Sequence, residues 1–250
     1  MPVAPKVYLT VLLSLAAGAA AADATLIYDE GDDPFKLRVR AGEIRIDDGS
    51  GSWQLYRQAD NAIYSVTPGK DRYTRMDGDT AARIRERIQA LRQRLEDKLA
   101  ELPAEQREIA RASLAGQVPG FGASPDVAVA ATDAREEVAG RACEVFQVER
   151  GGKPQEQLCV ASRDALGMTP AEFDTVAAMF ELMQTLLAGT GMEYVGLPYL
   201  ELDGVPIRYQ DGREGRRRTL SRVSHDAIPG LMFEIPPHYE AAAPHLETGP

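Results

Sequence analysis

Between Thr25 and Met76 apolar residues recur at every second position in one short run after another. Lys36-Leu37-Arg38-Val39-Arg40, Glu43-Ile44-Arg45-Ile46-Asp47 and Trp53-Gln54-Leu55-Tyr56-Arg57 alternate, and Ala62–Val66 and Arg72–Met76 continue the series. A period of two puts successive side chains on opposite faces, so each run is a half-buried strand. The intervening Gly/Asp clusters and Thr67-Pro68-Gly69-Lys70 are turn chemistry. The expected product is an antiparallel meander with one apolar face and one face carrying Arg, Glu, Gln and Asp.

The period then changes to that of a helix. Ile84, Ile88, Leu91, Leu95, Leu99 and Leu102 step by four and three residues, which lays them on one stripe of a helix starting near Asp79. Pro103 ends it and opens a second helix anchored by Ile109 and Leu114, giving a helical hairpin over about 79–115. The stripe fits either packing on the chain's own sheet or docking of a partner helix. Residues 116–126 turn to Gly, Pro and Ser and read as a connector; Gly120-Phe121-Gly122 lacks the strand-to-helix setting of a nucleotide loop.

The two cysteines of the chain lie in Gly140–Glu149 and Gln155–Ala161, two strand-like runs joined by Arg150-Gly151-Gly152-Lys153-Pro154. Centring the turn on Gly151 sets Cys143 opposite Cys159, so a cross-strand disulfide is expected. That register groups Phe146, Val148, Leu158 and Val160 on the other face, which is the expected core side. After the hairpin, Thr169, Pro170 and Glu172 mark a helix start with a capping box, and Gly189 its stop. Phe173, Val176, Ala177, Phe180, Met183 and Leu187 supply the expected buried face. Further strands are predicted at 194–195, 204–209, 219–223 and 232–235, with 241–250 as a loose tail.

Lys6, the apolar run 7–17 and Ala20-Ala21-Ala22 have the layout of a secretory signal, and residues 1–22 are predicted to be cleaved. The run is too short for a comfortable membrane span. Export to an oxidising compartment favours the disulfide, and the pair lacks the Cys-X-X-Cys spacing of a redox site. The net charge of −10 disfavours nucleic acid and anionic surfaces as partners over most of the exterior. No transmembrane segment is expected in the mature chain.

Few residues carry recognisable chemistry. His225, His238 and His245 have no metal-ligand spacing, and no nucleophile elbow is present. No catalytic residue, metal ligand or cofactor motif is assigned, and a non-enzymatic role is expected. Arg213, Arg216, Arg217 and Arg218 form a basic cluster that fits a solvated hairpin end or a contact with phosphate head groups or an acidic partner. Phe173, Met179, Phe180, Met183 and Leu187 crowd one helix, and such soft side chains form ordinary core or wall an adaptable apolar cavity.

The hairpin Gly140–Phe146 with Cys159, the helix opening Leu166-Gly167-Met168-Thr169-Pro170, and the ending Leu231-Met232-Phe233-Glu234-Ile235-Pro236-Pro237-His238-Tyr239 resemble an uncharacterised family of exported bacterial domains. That family is related in fold to the periplasmic lipoprotein carriers LolA and LolB. The resemblance implies one α+β domain over 23–240: a curved antiparallel sheet, an incomplete barrel, with helices on its concave face and an apolar cavity between them, the helical hairpin being an insertion. It implies a periplasmic protein that binds a lipid, an acyl chain or a lipoprotein. An envelope protein-interaction or stress-sensing module, with the helical stripe as its docking surface, is the alternative, and an uncharacterised hydrolase is the third reading. No ligand-contacting residue carries over from the carriers position by position.

Overall fold

A single sheet of twelve strands organises the chain. The structure is a computed structural model and describes residues 23–30, 34–115, 121, 126–190, 202–212 and 215–244. The predicted signal segment, the predicted strand at 194–195, Arg213 and His245 lie outside these residues. The strands are β1 (Ala24–Asp29), β2 (Phe35–Arg40), β3 (Glu43–Asp47), β4 (Trp53–Arg57), β5 (Ala62–Thr67) and β6 (Arg72–Met76). They are followed by β7 (Val127–Val138), β8 (Arg141–Arg150), β9 (Lys153–Ala161), β10 (Val205–Asp211), β11 (Arg217–Ser224) and β12 (Glu240–Ala242). The helices are α1 (Gly78–Ala100), α2 (Ala104–Ala115), α3 (Arg163–Leu166) and α4 (Pro170–Leu187).

The order across the sheet is β12-β6-β5-β4-β3-β2-β1-β11-β10-β9-β8-β7. Two meanders, β1–β6 and β7–β11, meet where β1 pairs with β11. All pairings are antiparallel except β12 with β6, which is parallel. The sheet is open, with β12 and β7 as its edges. Ala241 and Ala242, expected at the start of a loose tail, thus extend the sheet as part of β12.

Each alternating strand is split between two faces. Leu26, Leu37, Val39, Ile44 and Tyr56 point to one side, where they join side chains of α3 and α4 in the main core. On the other side Trp53, Leu55, Tyr64 and Val66 are buried beneath Phe233. Phe233 belongs to a strap, residues 225–239, that leaves β11, crosses the helix-free face and ends in β12. The expected strand at 232–235 is instead a 3-10 turn, Gly230–Phe233, followed by extended chain. Pro229, Pro236 and Pro237 lack ladder donors, so the segment lies on the sheet face rather than joining an edge there. Arginines hold it: Arg45 donates to Met232 O at 2.9 Å and Arg57 to Phe233 O at 2.7 Å. The Arg40 guanidinium stacks on the Phe233 ring at 4.2 Å.

The cysteine hairpin differs from its predicted register. Gly151 and Gly152 both have positive φ, 58° and 70°, the geometry of a two-residue turn that glycine takes without a Cβ clash. Arg150 then faces Lys153, and after an irregularity at Val148/Glu149 it is Val145 that faces Cys159. Cys143 and Cys159 are bonded, Cα to Cα 5.4 Å, diagonally across the pair. Two residues of offset leave both cysteines on one face, and that face is the main-core side, with Val145 and Ala161 beside them. Phe146, Val148, Leu158 and Val160 do share the opposite face, but there they build a smaller cluster with Leu202. Both faces are apolar; the helices pack on the one with small side chains, α3 lying against β8.

Candidate functional site

Helix α4 is fixed at its N-terminus by local chemistry. The Thr169 hydroxyl accepts from the Glu172 N–H at 3.3 Å. The Glu172 carboxylate accepts from the Thr169 N–H and hydroxyl at 2.7 and 2.8 Å. These bonds satisfy donors that a helix start leaves open. The Thr175 hydroxyl donates to Ala171 O at 2.6 Å and accepts from the Gly42 N–H at 2.9 Å, tying α4 to the β2–β3 turn. Helix α4 therefore lies over β2 and β3.

The row that α4 buries is Glu172, Thr175, Val176, Met179 and Leu182. Of the residues picked from sequence for ligand binding, Met179 is in this row. Phe173 and Phe180 are half-buried against the main core; Met183 and Leu187 are half-buried farther along. The half-buried residues form the row next to the buried one, so the helix is rotated by about one residue, some 100°, from its predicted phase. The buried polar pair Glu172 and Thr175 set that rotation. The capping box signals the first from sequence; nothing signals the second.

The C-terminal end of α4 is held by α1. Arg85 Nη1 donates to Thr185 O at 3.1 Å and Ala188 O at 3.3 Å, and Arg92 Nη2 to Thr190 O at 2.7 Å. Guanidinium groups thus meet the carbonyls that a helix end leaves open. Apolar packing of the hairpin is sparse. Of the 23 residues of α1 only Thr80, Ala81 and Leu99 are buried, and α2 buries none. Along the stripe, Ile84, Ile88 and Leu95 are half-buried, Leu91 is 42% exposed and Ile109 of α2 70% exposed.

An ion pair flanks the disulfide on the main-core side. Arg208 faces Cys159 and Glu136 faces Cys143 in register. Arg208 Nη2 lies 2.9 Å from Glu136 Oε1, although β9 and β8 separate their strands. Hydrogen bonding to Arg208 holds the Glu136 carboxyl below its ordinary pKa and raises that of Arg208. Strand β7 also approaches β11.

Other residues of interest are dispersed. His238 lies 3.9 Å from Asp71 and His225 beside Gly167. Arg216 pairs with Asp211 and Arg218 with Glu30 at the β10–β11 end. No group of three or more His, Cys, Asp or Glu side chains suited to a metal ion occurs among the described residues. No described helix is long and apolar enough to cross a membrane. Two clefts, of about 360 and 440 Å³, are lined by residues other than the five picked on α4.

No protein-family model matches the chain, and no curated protein matches it.

Proposed function

We propose that this chain is an exported carrier or sensor of apolar, acyl-bearing molecules, a lipid or the acyl chains of a lipoprotein, held without covalent chemistry between α4 and α1. The observation that carries this is the half-buried pair Met183 and Leu187, continuing the row of Phe173 and Phe180 toward the α4 end that α1 holds, beside a hairpin with little buried surface of its own. Elements with few buried apolar contacts open at low free energy, so α1 and α2 act as a lid, latched by Arg85 and Arg92. Methionine and phenylalanine then wall a space that adapts to the guest. The approach of β7 to β11 and the Arg208–Glu136 pair support a sheet that bends toward an incomplete barrel of the LolA/LolB kind, with the helices in its concavity. The disulfide and the signal-like N-terminus support a periplasmic location.

The test uses neutral probes on mature protein purified without detergent. Fluorescence of N-phenyl-1-naphthylamine rises on binding, monooleoylglycerol displaces it at 1:1 stoichiometry, and native mass spectrometry retains the lipid. Met183→Glu and Leu187→Glu weaken displacement by tenfold or more with the thermal midpoint retained. Absence of probe binding, or binding unchanged in both variants, refutes the reading.

The exposure of Leu91 and Ile109 favours a second reading, an envelope protein that docks on the hairpin. It predicts that Leu91→Glu abolishes association with that partner while monooleoylglycerol binding persists.

A further inference from the structure

The helix-free face holds a cleft of about 360 Å³ over the central strands β1, β2 and β11, on the opposite side of the sheet from α4. Its floor follows from strand register. Ile27 of β1 faces Lys36 of β2 on one side and Arg222 of β11 on the other; one step along, Thr25 faces Arg38 and Ser224. Adjacent strands lie about 4.8 Å apart, so the Lys36 and Arg222 backbones are about 10 Å apart with Ile27 between them. Side chains of that length converge on one group placed over Ile27.

The strap forms the wall, with Ile228, Pro229 and Met232 facing the floor. It is anchored at both ends of the cleft, by Asp23, which accepts from the Ile228 N–H at 2.7 Å, and by Arg45, which donates to Met232 O at 2.9 Å. The cleft surface is mostly apolar. Its cations differ in commitment. Arg38 is paired with Asp47. Lys36 and Arg222 have no ion-pair partner among the described residues, and the one carboxylate of the lining, Asp226, accepts from the Ser224 hydroxyl at 2.6 Å. In a chain of net charge −10, two uncommitted cations astride an apolar floor are complementary to a single negative head on a hydrocarbon body.

We infer that this cleft binds an anionic single-chain amphiphile, its phosphate or carboxylate head between Lys36 and Arg222 and its chain along Ile27, Ile228 and Met232. The site is separate from the one under the lid, and neither requires the other.

Isothermal titration with dodecyl phosphate below its micellar concentration tests it. Wild type binds one equivalent, and affinity falls when NaCl rises from 20 to 300 mM, since the cations are near solvent. Lys36→Gln combined with Arg222→Gln weakens binding about tenfold or more, with an unchanged thermal midpoint. Inorganic phosphate alone binds at least tenfold more weakly, and 1-dodecanol does not compete. Monooleoylglycerol binding under the lid is unaffected by the double substitution, so failure of one site is distinguishable from failure of the other. The proposal is overturned if the folded double variant binds dodecyl phosphate as tightly as wild type, if 1-dodecanol competes equally, or if inorganic phosphate binds as tightly as the amphiphile.

Discussion

Replacing both cysteines by alanine removes a cross-link whose contribution follows from its place in the chain. The bonded residues are 16 apart in sequence, and a loop of that length constrains the unfolded ensemble by about 3 kcal/mol in the chain-entropy picture. The sulfurs are also part of the packing, since Cys143 is 4% and Cys159 0% exposed in the main core. Each deleted atom leaves a small void, on the order of 0.5–1 kcal/mol. The expected loss is therefore about 4–5 kcal/mol. For a chain of this size, about 2–4 °C per kcal/mol, that lowers the thermal midpoint by about 8–20 °C. Urea unfolding followed by far-UV circular dichroism measures it directly, comparing oxidised wild type, wild type unfolded and refolded in reductant, and the double alanine variant. Reduction of the native protein should be far slower than reduction in urea, because the bond is covered. An alanine variant that unfolds at the wild-type urea midpoint refutes the reasoning, as does equally fast reduction of native and unfolded protein.

The strap gives a second test. Phe233 is fully buried under Arg40, so Phe233→Ala should cost about 3–5 kcal/mol and remove hydrogen-exchange protection at the Glu240 amide, which donates to Asp71 O; a loss under 1 kcal/mol would show that the strap is not packed. Asp77 gives a third, through pH. Its carboxylate caps α1 by accepting from the Thr80 N–H at 2.9 Å, and that bond holds its pKa below the ordinary value. The stabilisation is present above the unfolded pKa of about 4 and is lost as pH falls through the lower folded value. Asp77→Ala should thus cost about 1 kcal/mol at pH 7, with the gap from wild type closing only in acid; a gap that is constant down to pH 2 would exclude the carboxylate as its source.

Where residues spoke through local chemistry, sequence and structure agree. The alternating runs became β2 to β6 because one buried face enforces register, and the capping box at Thr169 starts α4. What depended on distant neighbours was not legible. The pairing of β1 with β11, 194 residues apart at the Ser221–Ile27 hydrogen bond, leaves no mark in either strand. The phase of α4 was ambiguous because Leu182/Leu186 and Met183/Leu187 offer equally apolar rows. The outcome turned on Thr175, a polar residue buried by its bond to Gly42. The core side of the cysteine hairpin was misassigned for a related reason. Both of its faces are apolar, and larger side chains mark the face that helices do not cover.

The helix-free face also shows why its cations are not interchangeable. Arg38, Arg40, Arg45 and Arg57 occupy alternate positions of β2, β3 and β4, and each is engaged: Arg38 and Arg45 share Asp47, while Arg40 and Arg57 share Glu43. Arg45 and Arg57 reach past these carboxylates to strap carbonyls. One side chain that bridges a carboxylate and a carbonyl needs the planar, multi-donor fork of arginine, which the ammonium of lysine lacks. The pairing neutralises this part of the face and spends its donors on holding the strap. Lys36, on β2 opposite Asp47, and Arg222, on β11, border that lattice: Asp47 is taken by Arg38 and Arg45, and neither Lys36 nor Arg222 has an ion-pair partner among the described residues. The arginines that hold the strap, Arg45 at Met232 and Arg57 at Phe233, therefore build the wall of the cleft while Lys36 and Arg222 take no part in holding it, which separates the groups that shape the cleft from the free charges it presents.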